Sequence, residues 1–421
     1  MLDKVNKTVL DNGIRVLSQK MPHFKSVSIG IWVNAGARDE ALSESGLSHF
    51  IEHMIFKGTR KRTAFDIARE FDAIGGQTNA FTSMENTCYY VKAVGTHLNT
   101  MVDILSDIFL NSVFHEKDVE KERLVILQEI GMLEDNPDEY IHVLNGSNFW
   151  RDNSLGRSIL GTRENISSFD ANAIRNFFDL LYQPDRIVIS VAGNVEHKQI
   201  LDLIRPCFES IKQQNSFPER KKPEPFFDSN IHCKEIEQAH VCLGILGIPI
   251  TSQKRYTFSL MNTILGGNMS SRLFQQIRER RGLAYSVYSF INSHTDTGML
   301  GAYACVEHKN TSETINLVLK EMRKLKVERV SSDELNHTKE YIKSALLLSS
   351  ESNDNQMVRM AQNELNLGKS VSIQKVLDKI ASVSKDDIIE LAKELFQTGR
   401  IALTILGQRH DKNTYDDLLI L

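Results

Sequence analysis

The sequence predicts an α+β fold built twice: two homologous sandwich domains, each a mostly antiparallel sheet with helices packed on it. Three observations predict this. The chain has 421 residues, which is long for a single hydrophobic core and fits two domains. Its two halves repeat each other. Arg186–Gly193 (RIVISVAG) matches Arg400–Gly407 (RIALTILG) at an offset of 214 residues. The same offset aligns Ser168-Phe169-Asp170 with Ser382-Val383-Ser384, Leu181-Tyr182-Gln183 with Leu395-Phe396-Gln397, and Val27, Ile29, Gly30 and Ile31 with Val241, Leu243, Gly244 and Ile245. One long period marks a duplication, whereas a solenoid would show many short ones. Finally, strand-like runs cluster apart from helical stretches, which favours segregated layers.

In chain order, Thr8-Val9-Leu10, the turn Asp11-Asn12-Gly13 and Ile14–Leu17 read as a hairpin. Strands are predicted at Val27–Val33, Thr78–Thr82 and Thr87–Val94. Helices are predicted at Leu47–Phe56, Ala64–Ile74, Thr96–Leu110 and Lys117–Glu134. The segment Gln213–Pro225 is polar and carries three of the eight prolines, as an exposed linker should. The expected domains are therefore 1–212 and 230–421, joined by a linker over 213–229.

Composition narrows the function. Charged residues make up 25% and hydrophobic residues 41%, ordinary for a globular protein. A net charge of -4 and a pI near 6.4 give no basic footprint for nucleic acid. Arg220-Lys221-Lys222 and Arg278-Glu279-Arg280-Arg281 are short runs that read as solvated surface. Five scattered cysteines without a C-x-x-C argue against a disulfide framework and against a cysteine zinc site. No run approaches the roughly 18 apolar residues of a membrane span, and the N-terminus lacks the basic-then-apolar pattern of a signal peptide. The expectation is a protein without membrane or nucleic-acid partners, in a reducing compartment such as the cytoplasm or an organelle matrix.

The chemistry concentrates in His49-Phe50-Ile51-Glu52-His53. Residues three and four apart share a helix face, so two imidazoles and a carboxylate converge. Imidazoles at i and i+4 can grip one Zn²⁺, and Glu52 can reach a water there. The order H-x-x-E-H inverts the commoner H-E-x-x-H. Two surface histidines beside a capping glutamate would give the same letters. However, Ile51, Met54, Ile55 and Phe56 make the segment partly apolar, and unpaired ionisable groups are costly there. A catalytic zinc normally has a third protein ligand. The helix 119–134 offers Glu120, Glu122, Glu129 and Glu134; an acid-rich helix is more often a solvated face, and spacing alone leaves the choice open.

These residues resemble the pitrilysin family of zinc peptidases, which includes insulin-degrading enzyme, the mitochondrial processing peptidase and short bacterial peptidases of this length. The resemblance runs from Asn12-Gly13 to the last strand. In that family H-x-x-E-H is followed by a distant ligand glutamate, and Glu129, 76 residues beyond His53, matches it. The resemblance implies one Zn²⁺ per chain on His49, His53 and Glu129, with Glu122 as an acidic neighbour of the metal and Glu52 as general base. Gly75–Thr82 resembles the family's substrate-binding edge strand, which implies that Asn79, Ala80 and Phe81 hold peptide by strand addition. Arg278 and Tyr285 match an Arg/Tyr pair that holds substrate and polarises its carbonyl. The second half has no H-x-x-E-H; Tyr256–Thr263 stands at the equivalent helix.

The implied function is a zinc endopeptidase acting on unfolded peptides or extended termini, of a family that includes processing peptidases. The alternative is a catalytically silent structural or peptide-binding subunit of the same family. Longer relatives carry four such domains, so a homodimer is expected, with the partner's C-terminal domain completing the active site.

Overall fold

The computed structural model describes residues 4–213, 217, 219–408 and 413–421. Of the expected linker, Gln214, Asn215, Ser216 and Pro218 lie outside the described residues. The chain forms two compact units. The first comprises Met1–Gly131, Arg157–Arg220 and Leu347–Ser372, and the second Met132–Gly156, Lys221–Leu346 and Ile373–Leu421.

The first unit holds β1 (Val5–Val9), β2 (Arg15–Lys20), β3 (Ser26–Val33), β4 (Gln77–Thr82), β5 (Thr87–Val94) and β6 (Ile187–Gly193), in the order β1-β2-β6-β3-β5-β4. The second holds β7 (Ser229–Cys233), β8 (Gln238–Leu246), β9 (Ala284–Ser293), β10 (Gly298–Glu307) and β11 (Ile401–Gly407), in the order β7-β11-β8-β10-β9. Apart from β1, the two sheets share one topology. In each, one pair is parallel (β2 with β6, β7 with β11) and the others are antiparallel. The duplication is therefore structural.

Pairing register refines the repeat. In the first sheet Ile187 faces Val33. An offset of 214 would place Gly247 opposite Ile401, but Ile401 faces Ile245. With β6 and β11 kept in their sequence match at 214, the offset for this strand is 212, and Ser28 corresponds to His240. A slip of two residues keeps every side chain on its own face, so the apolar pattern cannot distinguish the registers.

The contiguous halves expected from sequence do not coincide with the compact units. Helix Asn353–Leu367 belongs by sequence to the second half, yet it packs on β2, β3 and β6. Helix Pro137–Phe149 belongs to the first half, yet it packs on β8 and β11. Both sheets are apolar on two faces, and that is the physical reason. One face of the first sheet (Val27, Ile29, Ile31, Val33, Tyr89, Val91) joins the large helical core, and the other (Trp32, Cys88, Val188, Ala192) is covered by Met357, Met360 and Ala361. The second sheet buries Cys242, Tyr303, Cys305 and Leu406 under Ile141 in the same way. Bare, these faces would leave large aromatic side chains in water.

The helices near the motif match expectation to within two residues: Leu47–Met54, Ala64–Ala73, Leu98–Asn111 and Glu116–Asp135. Among the described residues no helix is long and apolar enough to cross a membrane.

Candidate metal centre

The motif helix Leu47–Met54 buries Leu47, Phe50, Ile51 and Met54 in the core of the first unit, which fixes its rotation. Gly46 precedes it at φ +104°, and a Cβ there would meet Leu160 O at 2.9 Å and Ile166 Cδ1 at 2.8 Å, so only glycine fits. No side chain of the capping residue itself serves the helix. The buried Glu40 does so instead: its Oε2 accepts the Gly46 N–H and its Oε1 the Ser48 N–H, both at 2.8 Å. Burial pushes this carboxyl up to about 8, against the pull of the two backbone donors and Arg157. Glu40 stands seven residues before the first residue of the helix, too far for any local sequence signature of capping.

The rotation brings His49 and His53 together, ring centroids 4.7 Å apart. Helix Glu116–Asp135 supplies the third group, so the candidates left open by spacing resolve by geometry. Glu129 Oε2 lies 3.6 Å from His49 Nε2 and 3.4 Å from His53 Nε2. Two nitrogen or oxygen ligands on a tetrahedral zinc, with bonds of about 2.0 Å, stand about 3.3 Å apart. The donor set thus fits a zinc ion in both chemistry and spacing. Glu122 is buried about two turns before Glu129 on the same helix. Its Oε2 meets His53 Nδ1 at 3.2 Å and its Oε1 takes Lys57 Nζ at 2.6 Å. A carboxylate on the far ring nitrogen is the usual device for orienting a metal-binding histidine.

Electrostatics agree. Burial, with the charge of His53, drives His49 down to about 3, leaving it neutral and able to donate a lone pair. Burial also lowers His53, but the hydrogen bond to Glu122 and the surrounding carboxylates outweigh it and raise it overall. Glu52 is raised, chiefly by burial, although the N–H and hydroxyl of Thr82 donate to it.

Asn79, Ala80 and Phe81 lie on β4, which among the described residues pairs with β5 alone and forms one edge of the first sheet. Asn79 Oδ1 accepts the Ala80 N–H at 2.8 Å, and the Phe81 ring packs edge-on against Trp32, centroids 5.4 Å apart. The Phe81 side chain therefore supports the strand from behind. Thr82, which ends β4, reaches the carbonyl of Ser48 in the motif helix at 3.5 Å.

Arg278 and Tyr285 belong to the second unit and touch each other. Arg278 Nη1 donates to the Tyr285 carbonyl at 2.9 Å, and the guanidinium lies 4.6 Å from the Tyr285 ring centroid and 4.8 Å from that of Phe274. Tyr285 is 80% exposed. At the place of the motif helix, the second unit has Arg255–Asn262 continuing into a wider turn over Thr263–Gly267, without a ligand set.

Comparison with known proteins agrees with this division. Residues 15–163 match the family described as "Insulinase (Peptidase family M16)", and residues 168–342 match "Peptidase M16 inactive domain". The chain is 40% identical to the zinc protease YmxG of Bacillus subtilis over 96% of this chain and 98% of that one. It is 36% identical to a zinc protease of Streptomyces coelicolor, over 97% of this chain and 90% of that one. Two solved structures share the fold. A protease from Helicobacter pylori has a TM-score of 0.90 at 20% identity, covering 96% of this chain and 100% of that one. A Pseudomonas fluorescens protein titled as a peptidase M16 inactive domain has a TM-score of 0.91 at 14% identity, covering 97% and 99%. With its motif helix, its distant glutamate and its second domain lacking the H-x-x-E-H motif, the chain belongs to the insulinase family of peptidases, family M16.

Proposed function

We propose that the chain is a zinc-dependent endopeptidase that cuts unfolded peptides or extended protein termini. The observation that carries this reading is the convergence of His49 Nε2, His53 Nε2 and Glu129 Oε2, with Glu52 on the same helix turn but outside the ligand set. A Zn²⁺ bound there supplies Lewis acidity and a water acidified toward neutral pH. Glu52 takes the proton of the attacking water and delivers it to the leaving amine; its raised pKa suits both roles. The main chain of β4 at Asn79 and Ala80 takes an extended substrate as an added strand, with Phe81 bracing it. That need for a free backbone restricts substrates to unfolded segments. Arg278 and Tyr285 steady the oxyanion or the substrate backbone. In this reading they come from a second copy of the chain, in a homodimer with a shared site. Five unpaired cysteines suit a reducing compartment, the cytoplasm.

The test separates base from ligand, and enzyme from silent subunit. Glu52→Gln abolishes peptide hydrolysis and retains zinc, whereas His49→Ala and Glu129→Ala lose both. Zinc content and cleavage of an unstructured peptide are measured on each purified variant. Wild-type protein that holds zinc and leaves every peptide in a mixed library intact would establish the silent subunit instead.

A further inference from the structure

The second unit carries another convergent donor set, on the sheet face covered by helix Pro137–Phe149. His240 on β8 and Cys305 on β10 are direct register partners across antiparallel strands, so their side chains stand side by side on one face. Both residues are buried. Asp138, in the first turn of the covering helix, stands on the other side of the imidazole from Cys305, its Oδ1 3.6 Å from His240 Nδ1, and its side chain is 65% exposed, which leaves the cluster open to solvent on one side. One ligand atom from each residue lies within 4.8 Å of the others.

The hydrogen bonds assign the free lone pair. Tyr303 OH donates to Asp138 Oδ1 at 2.5 Å, so its oxygen is left to accept from His240 Nδ1–H at 3.0 Å. His240 Nε2 is then unprotonated and faces Cys305 Sγ at 3.8 Å. On a tetrahedral zinc, with bonds of about 2.3 Å to sulfur and 2.0 Å to nitrogen, these two atoms would stand about 3.5 Å apart. Tyr303 does for His240 what Glu122 does for His53: it takes the far ring N–H and holds the near nitrogen toward the ligand position.

The first unit shows what this position holds when it is closed. With the structural offset of 212, Ser28 occupies the place of His240. Lys92, the register partner of Ser28, occupies that of Cys305. Asp354, in the first turn of the helix covering the first sheet, occupies that of Asp138. There Ser28 Oγ donates to Asp354 Oδ1, and Lys92 Nζ neutralises Asp354 Oδ2 at 2.6 Å. In the second unit the same carboxylate meets an imidazole and a thiol where the ammonium would be.

We infer that Asp138, His240 and Cys305 form a second transition-metal site, taking Zn²⁺ or Co²⁺. Sulfur, nitrogen and a single carboxylate suit these ions and not the oxygen-seeking Mg²⁺ or Ca²⁺. Binding breaks the Cys305 S–H bond and forms a metal–thiolate bond. The proton leaves to solvent, and the hydrogen bond from Sγ to Gln238 Oε1 (3.0 Å) is given up. The metal thus supplies the positive charge that Lys92 supplies in the first unit.

Cobalt tests this on the full chain. Protein purified from zinc-free, cobalt-supplemented medium is expected to hold two Co²⁺ per chain and to show thiolate-to-cobalt charge-transfer absorption. The His49, His53 and Glu129 set contains no sulfur, so that absorption reports this cluster alone. Cys305→Ser is expected to lose the absorption and one equivalent of metal while keeping the other. His49→Ala is expected to keep the absorption and lose the other equivalent. A wild-type chain without the absorption overturns the inference, as does absorption that survives in Cys305→Ser, which would place the metal on another cysteine. Asp138→Asn, on the exposed side and still able to accept from Tyr303 OH through its amide oxygen, is expected to weaken cobalt binding at this site alone; unchanged affinity also counts against it. Because the His49→Ala arm reads the catalytic ligands separately, the two metal assignments stand or fall independently.

Discussion

The two units are one sheet topology with two opposite chemical outcomes. In the first, the helix beneath the large core face carries His49, Glu52 and His53, while the opposite face is closed by the neutral cluster of Ser28, Lys92 and Asp354. In the second, the equivalent helix carries no ligand, while the opposite face gathers His240, Cys305 and Asp138. The frame of strands and covering helices is common to both, so it fixes none of this chemistry. A handful of side chains at matching positions decide it, which is how a fold hosts unrelated sites.

The largest effect expected from this division is on activity. If the first unit supplies metal and base while a second copy supplies Arg278 and Tyr285, mixing Glu52→Gln with Tyr285→Phe restores function that neither has alone. Random subunit exchange in equal amounts makes half the dimers mixed, each with one intact site, so about a quarter of wild-type peptide cleavage should return. No recovery despite mixed dimers seen by native mass spectrometry would show that each chain completes its own site.

Next come the groups that hold each histidine from behind. Glu122→Gln keeps an acceptor for His53 but drops its charge, and zinc affinity at the first unit should fall about 10–100-fold. Tyr303→Phe should weaken cobalt at the second cluster and leave the first untouched. Competition with a chromophoric chelator measures both, and equal effects of either change at both sites would break the comparison.

Acidity provides a smaller, graded test. His53 is raised above its ordinary 6.5 by Glu122 and the nearby carboxylates, against the effect of burial. In the metal-free chain the charged imidazole contributes stability that is complete below 6.5 and lost as pH rises through the higher folded value. Zinc must displace that proton, so its affinity runs the other way and climbs through the same interval above 6.5. Denaturant midpoints of the metal-free chain and zinc dissociation constants, followed from about pH 5 to 9, should slope in opposite directions.

The smallest effect tests the closed cluster. Lys92→Met leaves Asp354 with Ser28 alone; the pair is partly exposed, so stability should fall by only about 0.2–1 kcal/mol in urea unfolding. A much larger loss would mean that the ammonium is a structural requirement of the first sheet.

Much of this molecule was legible beforehand because it depends on local periods. Helix spacing placed His49, Glu52 and His53 on one face, and the helix and strand runs near the motif fell within two residues of their observed ends. The duplication was legible from Arg186–Gly193 and Arg400–Gly407, and the choice of Glu129 as a candidate ligand from resemblance, since spacing alone left four glutamates open. Only the tertiary structure decided the rest. It exchanged the helices Pro137–Phe149 and Asn353–Leu367 between halves, because each sheet has a second apolar face that its own half leaves uncovered. It set the two-residue slip that brings Ser28 and His240 into correspondence, since a strand's period of two makes such a slip invisible to the pattern of apolar residues. It also brought Glu40 to Gly46 and Ser48, Glu122 to His53, and Asp138 to His240 and Cys305, contacts between segments distant in sequence that no local pattern encodes.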